Sequence, residues 1–140
     1  VSTAAQVGAD LIDLAKQSRK RVAVTVTRYG VLLQTAVRSH AREPRTAFRP
    51  GQPGEGPRLL TGGYLRTINR RTHHTASTST SEVGSNDDRA RRLEMGFTGT
   101  DSLGREFDQQ AYEHFGPGLD DVDAPFQAAL AAAIRPGRAK

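Results

Sequence analysis

The sequence predicts an α+β fold: a long N-terminal helix and a C-terminal helix packed on a small antiparallel β-sheet, with an extended hairpin or loop. Three observations lead there. Residues 4 to about 41 repeat apolar side chains at three- and four-residue steps, and residues 124–134 form an alanine-rich run. Between them lie short stretches of alternating or β-branched residues punctuated by glycine and proline. At 140 residues the chain has the length of one ordinary domain, and residues 1–140 are expected to form a single one.

The N-terminal helix rests on Ala4, Val7, Leu11, Leu14, Val22, Val26, Tyr29, Leu33 and Ala36, which recur on one face, while Asp10, Asp13, Lys16, Arg19, Lys20 and Arg28 fall largely off it. Ser2 or Thr3 supplies a start signal. The run Val22-Ala23-Val24-Thr25-Val26-Thr27 alternates like a strand, and Gly30 costs about 1 kcal/mol against Ala in a helix interior. A single long helix, with Gly30 as the point where it could bend, is favoured over a helix followed by a strand.

Residues 42–57 lose all hydrophobic period. Pro44, Pro50, Pro53 and Pro57 alternate with Gly51, Gly54 and Gly56, which predicts a loop or arm. Its arginines suit either a partner-binding extension or a solvated linker. Residues 64–69 then read as a strand entered through a Gly62-Gly63 turn. Residues 72–83 are rich in Thr and Ser, with strand propensity but little to bury, as in a hairpin arm whose edge a neighbour covers. Gly84-Ser85-Asn86-Asp87-Asp88 is a turn, and Asp87 or Asp88 caps a short helix carrying Ala90, Leu93 and Glu94. Residues 96–104 look like a loop, and residues 105–114 like a loop leading into a strand. Asp120, Asp121 and Asp123 precede the C-terminal helix, where acids suit the positive end of the dipole. Pro125 falls in its first turn, and Phe126, Leu130 and Ile134 should face the core.

Composition narrows the chemistry. The hydrophobic fraction is 36%, with no Trp and no Cys, which fits a domain whose surface is completed by neighbours or one with long loops. No apolar run approaches the ~20 residues of a membrane helix, and no signal-peptide pattern opens the chain, so a soluble protein not secreted by the usual route is expected. Residues 1–60 hold ten Lys/Arg against four Asp/Glu, a net +6, whereas residues 61–140 hold ten against eleven, a net −1. Such asymmetry can steer nucleic acid, let unlike faces of identical copies meet, or mark a solvated helix face.

No motif ties these residues to catalysis. His73 and His74 are adjacent and point apart in a strand, while His40 and His114 lie far off, so metal-ligand spacing is absent. The acidic clusters are explained by turns and caps. The glycine-rich stretch at 50–56 lacks the Lys-Ser/Thr ending of a phosphate loop. No catalytic residue, cofactor or metal is assigned. A non-catalytic nucleic-acid-binding protein is the alternative that the arginines support, through phosphates rather than bases.

Three segments carry a resemblance. Thr61-Gly62-Gly63-Tyr64-Leu65-Arg66-Thr67-Ile68, Leu93-Glu94-Met95-Gly96-Phe97 and His114-Phe115-Gly116-Pro117 follow one another in order along the chain. Together with the flanking helices they resemble the neck and tail-completion (head-tail joining) proteins of long-tailed bacteriophages. That family has a turn-strand similar to the first segment, a Leu-Glu-aromatic-Gly segment similar to the second, and a Pro/Phe-rich lead into the last helix. Met95 stands where an aromatic is usual, the first segment has one extra residue between glycine and leucine, and the insert at 42–57 is long. The resemblance implies a virion structural protein, assembled in the host cytoplasm, that forms a homo-oligomeric ring at the head-tail junction. Six copies are expected by analogy with tail tubes, with twelve as the alternative. The implied neighbours are a head-completion or stopper ring on one side and a tail tube or tail-terminator protein on the other. Double-stranded DNA would pass through the lumen. Thr61, Gly62, Gly63, Tyr64, Leu65, Arg66, Leu93, Glu94, Gly96, Phe97, Phe115 and Pro117 are the implied motif or interface residues, and Arg66, Arg70 and Arg71 the candidate lumen contacts to DNA.

Overall fold

The computed structural model describes residues 3–41, 62–100 and 102–135. The loop expected at 42–57 and Thr61 of the first motif lie outside the described residues. In chain order the elements are α1 (Ala4–His40), α2 (Gly63–Thr67), β1 (Ile68–His74), β2 (Ser79–Ser85), α3 (Asp88–Met95), β3 (Phe97–Thr100), β4 (Glu106–Gln109) and α4 (Phe115–Ile134). The strands form two separate antiparallel hairpins, β1–β2 and β3–β4. The α+β class with long first and last helices and small antiparallel sheets is as expected.

A Thr3–Gln6 capping box opens α1: the Gln6 N–H donates to Thr3 Oγ1 at 3.3 Å, and the Thr3 N–H donates to Gln6 Oε1 at 3.0 Å. The helix is continuous through the β-branched run. Thr27 and Thr35 turn their hydroxyls back onto the carbonyls of Ala23 and Val31, both at 2.9 Å, which satisfies them inside the helix. Val26 and Val37 are buried, so packing outweighs the local preference for strand. Gly30 has a spatial reason. A Cβ there would stand 2.7 Å from Ser81 Cβ, because the first hairpin lies directly on the helix at this point.

The chain reverses so that α4 runs antiparallel along α1. Gly118 lies against Val37, the Tyr29 and Phe126 rings pack at a tilt with centroids 5.4 Å apart, and Arg21 Nε donates to the Ala133 carbonyl at 2.9 Å. A second bond from Arg21 reaches the Arg135 carbonyl at 3.2 Å, so a cation closes the negative end of α4. At Gly118 a Cβ would meet Val37 Cγ2, N and Cα at 2.7, 2.8 and 2.9 Å, which fixes how closely the helices approach. The buried core sits at the C-terminal end of α1, where Val37, Ala41, Tyr64, Ile68 and Ala90 cluster, and Leu33, Leu65, Val83, Leu93 and Phe115 pack against it.

In the first hairpin Ile68, Arg70, Thr72 and His74 share one face with their cross-strand partners Ser85, Val83, Ser81 and Ser79. Gln34 and Arg38 of α1 both donate to the Ile68 carbonyl, at 2.9 and 2.7 Å, and pin the start of the strand. Farther along, His74 Nε2 meets Thr27 Oγ1 at 3.1 Å, and Thr72 and Ser81 share a 3.0 Å hydroxyl bond. The Thr/Ser tract thus has one face on α1, held by hydrogen bonds more than by apolar area. Asn69, Arg71, His73, Thr80 and Glu82 of the other face are exposed.

Four expectations need correction. Residues 64–67 are a helical turn, and the strand starts only at Ile68. A strand would put Tyr64, Arg66 and Ile68 on one face. One helical turn brings Tyr64 and Ile68 together into the core, 3% and 0% exposed, and sends Arg66 to solvent. Within the expected loop at 96–104, β3 pairs with β4 despite Gly99, over which the Phe97 ring lies, its Cζ 3.4 Å from a Cβ position. The last helix starts at Phe115 rather than 124, so Asp120, Asp121, Asp123 and Pro125 lie within it and not at its front. Ile134 is 58% exposed, whereas Phe126 and Leu130 are half-buried.

The two helix glycines should respond in opposite directions. Gly118→Ala forces a Cβ into the α1 backbone and should destabilise by about 1–3 kcal/mol. Gly8→Ala meets nothing within 4 Å and should stabilise by about 0.5–1 kcal/mol through helix propensity. Urea unfolding followed by circular dichroism checks both; equal effects at the two sites would contradict the packing described.

Candidate functional site: the junction of the three motifs

The three resemblance-bearing segments, spread over more than fifty residues, meet at one junction beside the core. Each contributes one polar side chain: Tyr64 from α2, Glu94 from the last turn of α3, and His114 immediately before α4.

Local structure aims each of them. Gly62 caps α2 with φ +66, a left-handed conformation that glycine tolerates without strain, and Tyr64 then turns inward. Asp87 caps α3 by accepting from the Arg89 N–H at 3.0 Å, while the Arg89 guanidinium grips the same carboxylate at 2.8 and 2.6 Å. That pair holds the Asp87 carboxyl down at about 2, first through the side-chain hydrogen bond and then the backbone one. Ala90 is buried and Leu93 packs on the core, which leaves Glu94 facing the start of α4. Gly96, with φ +74, lets the chain leave α3; a Cβ there would stand 2.8 Å from the Gln109 carbonyl.

Glu94 is the cap of α4. Its Oε2 accepts from the His114 and Phe115 N–H groups at 2.9 and 3.1 Å, and its Oε1 accepts from the Gly116 N–H at 3.0 Å. No side chain of α4's own N-cap does this, so a carboxylate from another helix satisfies the orphan donors and the positive end of the dipole. Burial works against the charge on Glu94, but the three backbone donors, His114, Gly116 and Phe115, prevail and hold its carboxyl below the ordinary value.

His114 is fully buried. Its Nδ1 faces two acceptors, the Tyr112 carbonyl at 3.0 Å and Glu94 Oε2 at 3.1 Å. The network therefore assigns the imidazole proton to Nδ1 and leaves Nε2 to accept from the Tyr64 hydroxyl at 2.6 Å. Burial, then the Glu94 charge, push the Tyr64 hydroxyl up to about 12, which keeps it a donor. Phe115 lies against the imidazole with centroids 4.6 Å apart. Every polar atom of the junction is thus engaged within it, and Tyr64 and His114 expose almost no surface. The arrangement acts as a clamp that joins α2, α3 and α4.

The remaining expected site residues distribute around this clamp. Leu65 packs on the core, and Pro117 is half-buried in the first turn of α4. Phe97 begins β3 beneath the Arg92 guanidinium, 4.5 Å from the ring centroid, and pairs with Phe107 at 6.1 Å. The three candidate lumen arginines separate. Arg66 and Arg71 are exposed, and Arg71 stands opposite Glu82 across the hairpin. Arg70 lies on the α1 face of β1, bonded to Thr72, with its Nε buried and unpartnered among the described residues. His114, which the sequence offered as the first residue of the third segment and as a rejected metal ligand, links Tyr64 to Glu94, a role with no local sequence signal. Among the described residues no three His or carboxylate groups cluster to hold a metal ion, and no helix is long and apolar enough to cross a membrane.

No family model, curated protein or solved structure matches this chain.

Removing the clamp should cost stability in a graded way. Glu94→Ala leaves three helix-end donors without their acceptor and should destabilise by about 2 kcal/mol or more; Glu94→Gln keeps an acceptor and should lose less. Equal losses in the two variants, measured by chemical denaturation, would refute the capping role.

The same groups set a pH dependence. The folded Glu94 carboxyl is held below its ordinary value, 4.5. Its stabilisation is present above that pH and disappears as pH falls through the lower folded value. Tyr64 has the opposite sign. Its contribution is complete below its ordinary 10.0 and is lost as pH rises through about 12. Tyr64→Phe should therefore flatten the alkaline limb of the stability curve, and Glu94→Gln the acid limb.

Proposed function

We propose that this protein is a bacteriophage virion structural subunit that forms a ring at the head-tail junction, as a neck, tail-completion or tail-terminator component. It acts by assembly and performs no catalysis. The observation that carries the reading is the convergence of the three ordered motif segments on one buried clamp. Segments that resemble a family in order and also support one another in space act as parts of a single folding unit, which supports reading them together.

Two further features support it. Leu11, Ile12 and Val24 on α1 and Leu119 and Ile134 on α4 are each more than half exposed, more apolar surface on two helices than an isolated small protein needs. The first hairpin also keeps an exposed polar outer face, and its Arg71, with Arg66 of α2 just before it, is available to neighbours or to DNA phosphates. A closed ring covers apolar faces and pairs exposed edges.

One observation favours non-catalytic nucleic-acid binding as the second reading: α1 carries six Lys/Arg from Lys16 to Arg38 and no acid over residues 14–41. Phage particles made without this protein decide between the two. The ring reading expects filled heads and complete tails that fail to join, with joining restored by the supplied protein. Normal joining without it, together with strongly salt-dependent DNA binding by the purified chain, would establish the second reading instead.

A further inference from the structure

We propose that the outer face of α1 around Val24 receives the Leu119–Asp123 turn of α4 from a second copy of this chain. The contact would be a head-to-tail interface of the assembly. This rests on the ring reading and locates one of its subunit contacts.

Val24 stands out from α1 at 62% exposure, with an apolar groove on each side. One groove is lined by Ala23, Thr27, Arg28 and His74, between α1 and the first hairpin. The other is lined by Lys20, Thr25, Ala129, Ala132 and Ala133, between α1 and α4. Small residues floor both, so a neighbouring helix can approach closely. Lys20 and Arg28 rim the face and, among the described residues, meet no carboxylate. They lie about 12 Å apart along the helix, so their long side chains can bracket a single helical turn.

The matching surface is on α4. Over Phe115–Ile134 that helix carries three aspartates and no Lys or Arg. Only Asp121 meets a basic group among the described residues, His40 at 2.7 Å. Asp123 accepts only from Gln127, at 3.4 Å, and Asp120 has no partner there. Leu119, 53% exposed, lies beside them. One face is thus apolar with a purely basic rim and the other apolar with a purely acidic one. Each is left uncovered by its own chain among the described residues. Leu119 of a second copy would fill a groove beside Val24 while Asp120 and Asp123 meet Lys20 and Arg28. Because the two faces differ, the contact is heterologous, the kind that closes into rings. Like charges oppose pairing of either face with itself.

The chain has no cysteine, which permits a direct test. Under mild oxidation the double variant Val24→Cys/Leu119→Cys should give a ladder of covalent multimers on a non-reducing gel, and each single variant should remain uncrosslinked. Asp120→Lys/Asp123→Lys should weaken self-association about tenfold, from two rim pairs of about 0.7 kcal/mol each. Mixing that variant with Lys20→Glu/Arg28→Glu should recover it. Circular dichroism would verify that these surface variants fold. If lysine-reactive cross-linking shows multimers but the cysteine pair gives no ladder, the interface lies elsewhere and the ring reading survives. Dimers from either single cysteine would overturn the head-to-tail arrangement. If neither chemistry gives multimers and particles join without the protein, this proposal and the ring reading fall together.

Discussion

Glu94 holds the N-terminus of α4 from a different helix, and much of the packing follows from that contact. A twenty-residue helix that begins Phe-Gly-Pro-Gly has poor intrinsic reason to start there, because glycine is costly in helices and no local side chain caps the end. Three charge-assisted bonds to one carboxylate supply what the local sequence lacks. With the start of α4 fixed, Gly118 comes to rest on Val37, and the two long helices align along their length. The same carboxylate orients His114, which orders Tyr64 and with it the entry to the first hairpin.

Among the described residues the core is small, with a handful of buried apolar residues at one end of α1. Polar contacts carry much of the remaining organisation: two α1 side chains on the Ile68 carbonyl, a threonine-histidine contact, and an arginine across the end of α4. Such bonds specify where elements sit but contribute little net stability each. A monomer organised this way has a defined shape, exposed apolar helix faces and charges of opposite sign on different helices, properties that suit assembly with other copies.

How far the sequence could be read depended on the range of the interaction. The apolar repeat of α1 identified a continuous helix even through Val22–Thr27, because many residues agree on one period and a few dissent. The Asp87 cap was legible since cap and helix are adjacent. Tyr64 was misplaced in a strand because Tyr64, Arg66 and Ile68 fit an alternating pattern as well as a helical turn, and only the burial of two and exposure of the third separates them. β3 was hidden by the glycines around it, whose backbone freedom reads as loop unless the partner strand is known.

The amino-acid sequence by itself determined the α+β class, the first helix, the existence of the last one, and the Thr/Ser hairpin, all of which follow from local periodicity and turn chemistry. Only the tertiary structure decided where α4 begins, which arginine of the hairpin turns inward, and that Tyr64, Glu94 and His114 form one unit. Those outcomes depend on partners twenty to fifty residues apart. Nothing in local propensity encodes a hydrogen bond whose acceptor arrives from another helix.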